Sequence, residues 1–228
     1  MKLIFVPGSA CGKSTFMCQT AFFEGSEVVS LPGHPEGAPC PSVAEYVDWL
    51  RAYITTRGYR DVVLAGHSMG GAVALLYAIR YADLKALILV NTGARLRIHP
   101  DILETAKKMR EDTVAWQNYV TERHRTTVDE ARETIVAERL RISPAVLYND
   151  FCCCDAFDVM ADIAQIRIPT LVIGGSDDEL TPVKYTHYLA DHIEGAVEVV
   201  IPESGHWTLT EKPAAVNQAI TDFLESLS

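Results

Sequence analysis

The stretch that most constrains this chain runs from Asp61 to Val90. An apolar run, Asp61–Ala65, leads into Gly66-His67-Ser68-Met69-Gly70-Gly71, then a segment rich in Ala and Leu to Tyr81, then a second apolar run, Leu84–Val90. Short apolar runs without polar alternation mark strands buried on both faces, and a helix joining two of them makes the βαβ unit of a parallel sheet. The glycines around Ser68 permit a tight strand-to-helix turn in which small neighbours let a hydroxyl stand clear of the backbone. A helix starting there points its N-terminus at that hydroxyl and favours negative charge developing beside it.

The same alternation extends in both directions. Lys2–Val6 is an apolar run stopping at Pro7-Gly8, and Glu27–Leu31 repeats the pattern and stops at Pro32-Gly33. Ser42–Arg57 reads as an amphipathic helix with Ser42 as N-cap, Glu45 completing a capping box and Gly58 closing it. From Arg95 to Ile166 the strand signal lapses into charged helical segments, broken at Pro100 and at Ser143-Pro144. It resumes with a strand at Thr170–Gly174, a helix at Pro182–His192, a strand at Val197–Ile201 and a helix at Pro213–Leu227. The pattern predicts an α/β fold, with one parallel sheet built from 1–94 and 167–228 and a helical insertion at 95–166.

Charge and composition exclude several functions. A formal net charge of -10 disfavours nucleic acid as a partner, since phosphates are bound by clustered Lys and Arg. No apolar run approaches the roughly 20 residues that span a bilayer, and Lys2–Val6 is too short for a signal peptide, so a cytoplasmic protein is expected. The six cysteines, at 11, 18, 40, 152, 153 and 154, form no disulfide framework and no paired CxxC pattern, so reduced thiols and no metal are expected. Adjacent residues on a helix point about 100° apart, which keeps Cys152, Cys153 and Cys154 from converging on one ion. Oligomeric state is not legible here.

An ordinary hydroxyl is a poor nucleophile, so Ser68 calls for a histidine base and an acid that fixes the base's tautomer. Of seven histidines only His206 follows a predicted C-terminal strand, in Pro202-Glu-Ser-Gly-His-Trp207. His67 should point away from its neighbour Ser68, and His34, His99, His124, His187 and His192 read as surface or structural. The acid falls among Asp177, Asp178 and Glu179, just beyond the strand at Thr170–Gly174. Gly8-Ser-Ala-Cys-Gly12-Lys13-Ser14-Thr15 imitates a phosphate-binding loop but has three residues between its glycines where that loop has four.

These motifs together resemble the α/β-hydrolase family over nearly the whole chain: Pro7-Gly8, the Gly66–Gly70 turn, and Ser204-Gly205-His206 with Glu211-Lys212-Pro213. The family's Gly-x-x-Asp-x-x-x-Pro stretch implies that Asp178 is the acid. The resemblance also implies an oxyanion hole made by the backbone amides of Ser9 and Met69, although Pro7 stands where the family usually has histidine. Met1 falls where the family's third strand begins, so a trimmed sheet of about six strands, all parallel, is expected. The implied activity is hydrolysis of an ester, thioester or related carbonyl through an acyl-enzyme, without cofactor. Carbon–carbon bond hydrolysis of a diketone and a noncatalytic small-molecule receptor are the alternatives.

The insertion would act as a cap that forms the substrate pocket. Arg95–Arg141 holds 10 of the 20 basic residues and nine of the 30 acids, a mild argument for an anionic small-molecule substrate. Arg95 and Arg97 are the candidates to bind it, and Phe151, Phe157, Met160 and Trp207 the candidates to line the pocket.

Overall fold

The structure is a computed structural model that describes residues 1–227. Six strands, β1 (Lys2–Val6), β2 (Glu27–Val28), β3 (Val62–His67), β4 (Ala86–Val90), β5 (Thr170–Gly175) and β6 (Val197–Ile201), form one sheet in the order β2-β1-β3-β4-β5-β6. Every pair is parallel, as expected. The chain leaves β1 toward one edge and returns at β3 to build toward the other, so the strand order reverses between β1 and β3. In such sheets the ligand crevice opens outside the carboxyl ends of the strands at that reversal.

Alternate residues of each strand feed opposite faces. Ile4, Val6, Leu64, Leu87 and Leu89 pack on the side covered by α2 (Val43–Thr56) and α3 (Met69–Tyr81). Leu3, Phe5, Val63, Ile88 and Ile173 pack beneath α10 (Pro213–Ser226) and Phe16. Leu64 and Leu87 are fully buried, and each such side chain contributes about 1.5–3 kcal/mol by leaving water. The expected cap on α2 is present in part: Ser42 Oγ accepts the Glu45 amide at 3.2 Å, while the Glu45 carboxylate meets the Ser42 hydroxyl rather than its amide.

Four helices lie between β4 and β5: α4 (Pro100–Met109), α5 (Thr113–Arg123), α6 (Asp129–Leu140) and α7 (Pro144–Ala156). Pro100 and Pro144 start α4 and α7 rather than breaking a helix, because a first-turn position needs no amide donor. These helices share a core of their own around Met109, Trp116, Val120 and Leu147, and Ala10 from the loop after β1 is buried in it.

Some expectations need correction. The predicted strand at Glu27–Leu31 shrinks to two residues; Val29 still donates to Phe5 O at 3.0 Å, but the chain then turns away at the sheet edge. Between β1 and β2 lie a 3-10 turn, Lys13–Phe16, and α1 (Met17–Phe22), where the sequence had shown only a failed phosphate loop. The helix expected from Pro182 begins at Lys184, as α8 (Lys184–His192), and α9 (Thr208–Glu211) had no sequence signal. No helix among the described residues is long and apolar enough to cross a membrane.

Candidate active site

Ser68 sits between β3 and α3 with φ 54° and ψ -121°, a conformation that costs a non-glycine residue about 1–3 kcal/mol and persists only where the surroundings enforce it. They do so through close backbone approach. A Cβ on Gly66 would stand 2.2 Å from Gly70 O, and one on Gly70 would stand 2.1 Å from Val6 O. The turn is further pinned by Ser68 N–H on Val90 O at 3.0 Å and by the Thr92 hydroxyl on Ser68 O at 2.8 Å.

The structure brings the three sequence candidates together from three loops at one sheet edge. Ser68 Oγ is 3.0 Å from His206 Nε2, and His206 Nδ1 is 2.9 Å from Asp178 Oδ2. With a carboxylate on one side, Nδ1 carries the proton and Nε2 accepts the serine hydroxyl. Asp177 and Glu179 are exposed and form no hydrogen bond with His206, which separates Asp178 from its acidic neighbours.

Asp178 is unusually well supplied with donors. Its Oδ1 accepts the amides of Leu180 and Thr181 at 2.8 and 2.9 Å, and its Oδ2 accepts the Thr181 hydroxyl at 2.7 Å and Asn91 Nδ2 at 2.8 Å. Burial alone would raise its pKa, but the facing His206 and the hydrogen bonds from His206 and Thr181 outweigh burial and hold it well below the usual carboxylate range. Asn91 went unnoticed in the sequence. Its position just past β4, on the edge that carries Ser68, was the available signal.

His67 points away from Ser68 and uses Nε2–H to hold the His206 carbonyl at 2.8 Å. Burial, then the neighbouring His206, pushes its pKa down to about 3. His124 is also buried, which with Arg139 drives it down to about 2; Arg139 donates to its Nε2 at 3.1 Å, so that nitrogen must lack a proton. His34 is buried against Asp150 at 2.9 Å, while His99, His187 and His192 lie at the surface.

A cavity of about 200 Å³ opens over Ser68 and His206. Ser9 and Gly8 form part of its wall, and a Cβ on Gly8 would stand 3.0 Å from Ser68 Cβ, so the loop after β1 runs directly against the Ser68 turn. Among the described residues neither the Ser9 nor the Met69 amide donates to another protein group. Arg97, Phe151 and Trp207 are among the residues lining this cavity.

Arg95, Phe157 and Met160 do not line it. Arg95 pairs with Asp158 at 3.7 Å outside the cavity, Phe157 is buried in the main core, and Met160 packs against that core from beyond the cavity. The chain turns back along Asp158 after α7, which carries these three away from Ser68. In their place stand Arg123 and Arg139, which helical periodicity alone had not distinguished from surface charge. Arg139 is only 3% exposed, stacks over Trp207 with its guanidinium 4.9 Å from the ring, and has no carboxylate within 4 Å among the described residues.

The resemblance to a phosphate loop ends in a side chain. The Glu138 carboxylate accepts the amides of Lys13 and Ser14 at 3.2 and 2.7 Å, together with the Ser14 hydroxyl, and it fills the space a Cβ on Gly12 would need. All six cysteines are free thiols, and no group of three His, Cys, Asp or Glu among the described residues is placed to hold a metal ion.

A family model described as the alpha/beta hydrolase family matches residues 3–219. A solved thermophilic esterase is 34% identical and superimposes with a TM-score of 0.83, covering 99% of this chain and 90% of that one. The (E)-2-((N-methylformamido)methylene)succinate hydrolase of Acinetobacter baylyi is 26% identical, across 98% of this chain and 90% of its own length. The 2-hydroxy-6-oxo-6-phenylhexa-2,4-dienoate hydrolase of Comamonas testosteroni is 30% identical, across 77% of this chain and 66% of its own.

Proposed function

Because this chain belongs to the alpha/beta hydrolase family, a family of hydrolytic enzymes, we propose that it is a serine hydrolase with Ser68 as nucleophile, His206 as general base and Asp178 as the acid that orients the imidazole. The observation that carries this reading is the unbroken relay from Ser68 Oγ through His206 to Asp178, with links of 3.0 and 2.9 Å, opening on a cavity. Ser68 attacks the carbonyl of an ester or thioester while His206 Nε2 takes its proton. The imidazolium formed is stabilised by Asp178, which stays ionised, and the proton then passes to the leaving group. Water repeats the sequence on the acyl-enzyme.

The oxyanion would be received by the amides of Met69 and Ser9. Neither carries a competing protein acceptor among the described residues, so stabilising the developing charge breaks no existing hydrogen bond within the protein. Helices α4 to α7, with the segments flanking them (95–166), serve as the cap and supply the cavity wall opposite the sheet. Arg97, Arg123 and Arg139 on that wall favour a substrate with an anionic group remote from the scissile bond. The unpaired thiols support a reducing, cytoplasmic setting.

The Comamonas relative supports a second reading with the same three residues. The substrate in its name carries a ketone and a carboxylate but no ester, which favours attack on a ketone carbonyl with cleavage of the carbon–carbon bond beside it, as in a diketone.

Treatment with a fluorophosphonate, read by intact mass, tests the nucleophile: one adduct on the parent protein and none on Ser68→Ala is the expected result. A well-folded parent that takes up no adduct would refute it. A panel of aryl esters, thioesters and diketones, each with and without a carboxylate, then separates the two readings.

A further inference from the structure

The loop Gly8–Ser14 would be expected to derive its shape from the sheet it leaves, but its polar contacts run mostly to α6 and α7. The Ser9–Ala10 peptide is held at both ends. Ala10 N–H donates to Asp150 Oδ2 at 2.9 Å, and Ser9 O accepts the Cys11 thiol at 3.1 Å. The next peptide is held as well: Arg139 Nε donates to Ala10 O at 3.0 Å, and Cys11 N–H reaches back to Gly8 O at 3.2 Å. Ala10 takes φ 45°, a left-handed conformation an alanine adopts only under constraint.

Asp150 is itself built into place. It is fully buried, and it accepts His34 Nε2 at 2.9 Å, the Tyr46 hydroxyl at 2.9 Å and Asn149 Nδ2 at 3.3 Å besides the Ala10 amide. A buried carboxylate persists only with such partners. These come from α2, α7 and the loop after β2, so the acceptor facing Ala10 is anchored from three directions. Asp150 does not line the cavity, and neither do Ala10, His34, Tyr46 and Asn149, the residues it bonds.

We propose that Asp150 is a positioning residue for catalysis: by holding the Ser9–Ala10 peptide it sets the direction of the Ser9 amide toward the oxyanion, so that a side chain of α7 tunes the rate without meeting the substrate. The inference rests on Ser9 serving as an oxyanion donor, as set out above. Losing the Ala10 anchor lets the strained peptide relax and turns the Ser9 N–H away from the oxygen. A displacement on the order of 1 Å at such a donor costs about 10²-fold in rate.

The test compares Asp150→Ala and Asp150→Asn with the parent on an activated aryl ester, together with inhibition by an aryl trifluoromethyl ketone, which forms a tetrahedral adduct carrying the oxyanion. For Asp150→Ala, kcat should fall by about 10²-fold with KM nearly unchanged, and the ketone should weaken in proportion. Asp150→Asn should lie between, because its neutral oxygen still accepts the Ala10 amide but more weakly than a carboxylate. Complete labelling of Asp150→Ala by the fluorophosphonate on long exposure would show Ser68 and His206 still paired, assigning the slow rate to the loop.

A folded Asp150→Ala with parental kcat and parental ketone affinity, or one in which only KM rises, overturns the proposal. If Asp150→Ala does not fold, Asp150→Asn carries the test, and parental values there overturn it equally. A parent protein that never labels removes instead the serine-hydrolase reading beneath it.

Discussion

The two sides of the cavity reach their geometry by different means. On the Ser68 side, the turn is held by backbone packed against backbone: Gly66 against Gly70, and Gly70 against Val6. Beside it, the loop after β1 is held by the side chains Glu138, Arg139 and Asp150, which lie 124 to 140 residues downstream of the groups they bind. Steric exclusion is steep and leaves one conformation. Hydrogen bonds yield more gradually and can be traded for water. The Ser68 turn is therefore the rigid half of the site and the loop the adjustable half, and the helices between β4 and β5 set the adjustment.

The largest effects should come from the rigid half. Ser68→Ala or His206→Ala is expected to lower kcat by about 10⁴-fold or more while leaving the melting temperature near that of the parent. Asp178→Asn should cost about 10⁴-fold by releasing the tautomer of His206, whereas the exposed Asp177 should tolerate Asn with little loss. A crippled Asp177→Asn beside a working Asp178→Asn would show the acid to be misassigned.

Gly70→Ala contrasted with Glu138→Ala tests the comparison directly. A methyl 2.1 Å from Val6 O has nowhere to go, so Gly70→Ala should destabilise the protein by about 3 kcal/mol or more in urea denaturation. Glu138 is half-buried and water can replace it, so Glu138→Ala should cost only about 1 kcal/mol. Hydrogen exchange should then rise at Lys13 and Ser14 while α3 stays protected. Equal losses of stability in the two variants would break the distinction drawn here.

Acid should loosen both halves, since each contains a buried neutral histidine, His67 beneath His206 and His124 beneath Arg139. Their folded pKa values, about 3 and about 2, lie below the unfolded value, so below about pH 6.5 the unfolded chain binds more protons and stability falls as pH falls. By pH 5 each should have removed roughly 2 kcal/mol relative to pH 8, and the decline should continue until the folded pKa values are passed. Asp178, held below the usual carboxylate range, adds a further loss as pH drops under about 4. His124→Gln should reduce the pH slope between 6.5 and 5 by up to one proton, and an unchanged slope would mean that His124 is not neutral in the fold.

Much of the fold was legible because its determinants are local. Buried strands announce themselves as short apolar runs, so β1 was read to the residue; β6, a largely exposed edge strand, was read from its run of Val and Ile, and α3 was bounded by the glycines of its turn and by Tyr81. What escaped lacks a local signal: β2 is a two-residue edge strand, and α9 is a single turn held by packing. Of the residues expected to line the pocket, Arg97, Phe151 and Trp207 do so, while Arg95, Phe157 and Met160 do not. The helices between β4 and β5 carry mixed charge, so charge alone does not say which arginine turns inward.

The sequence by itself determined the parallel sheet, the turn that lifts Ser68 clear and the order in which that serine, an acid from the Asp177–Glu179 run and His206 follow successive strands, because each follows from apolar periodicity and glycine within a few residues. Only the tertiary structure decided which acid of three meets His206, that Arg123 and Arg139 replace Arg95 at the cavity, and that Asp150 holds Ala10. Those contacts join residues more than a dozen positions apart, and which side chains meet across such a separation is set by how whole helices pack on the sheet rather than by any short stretch of chain.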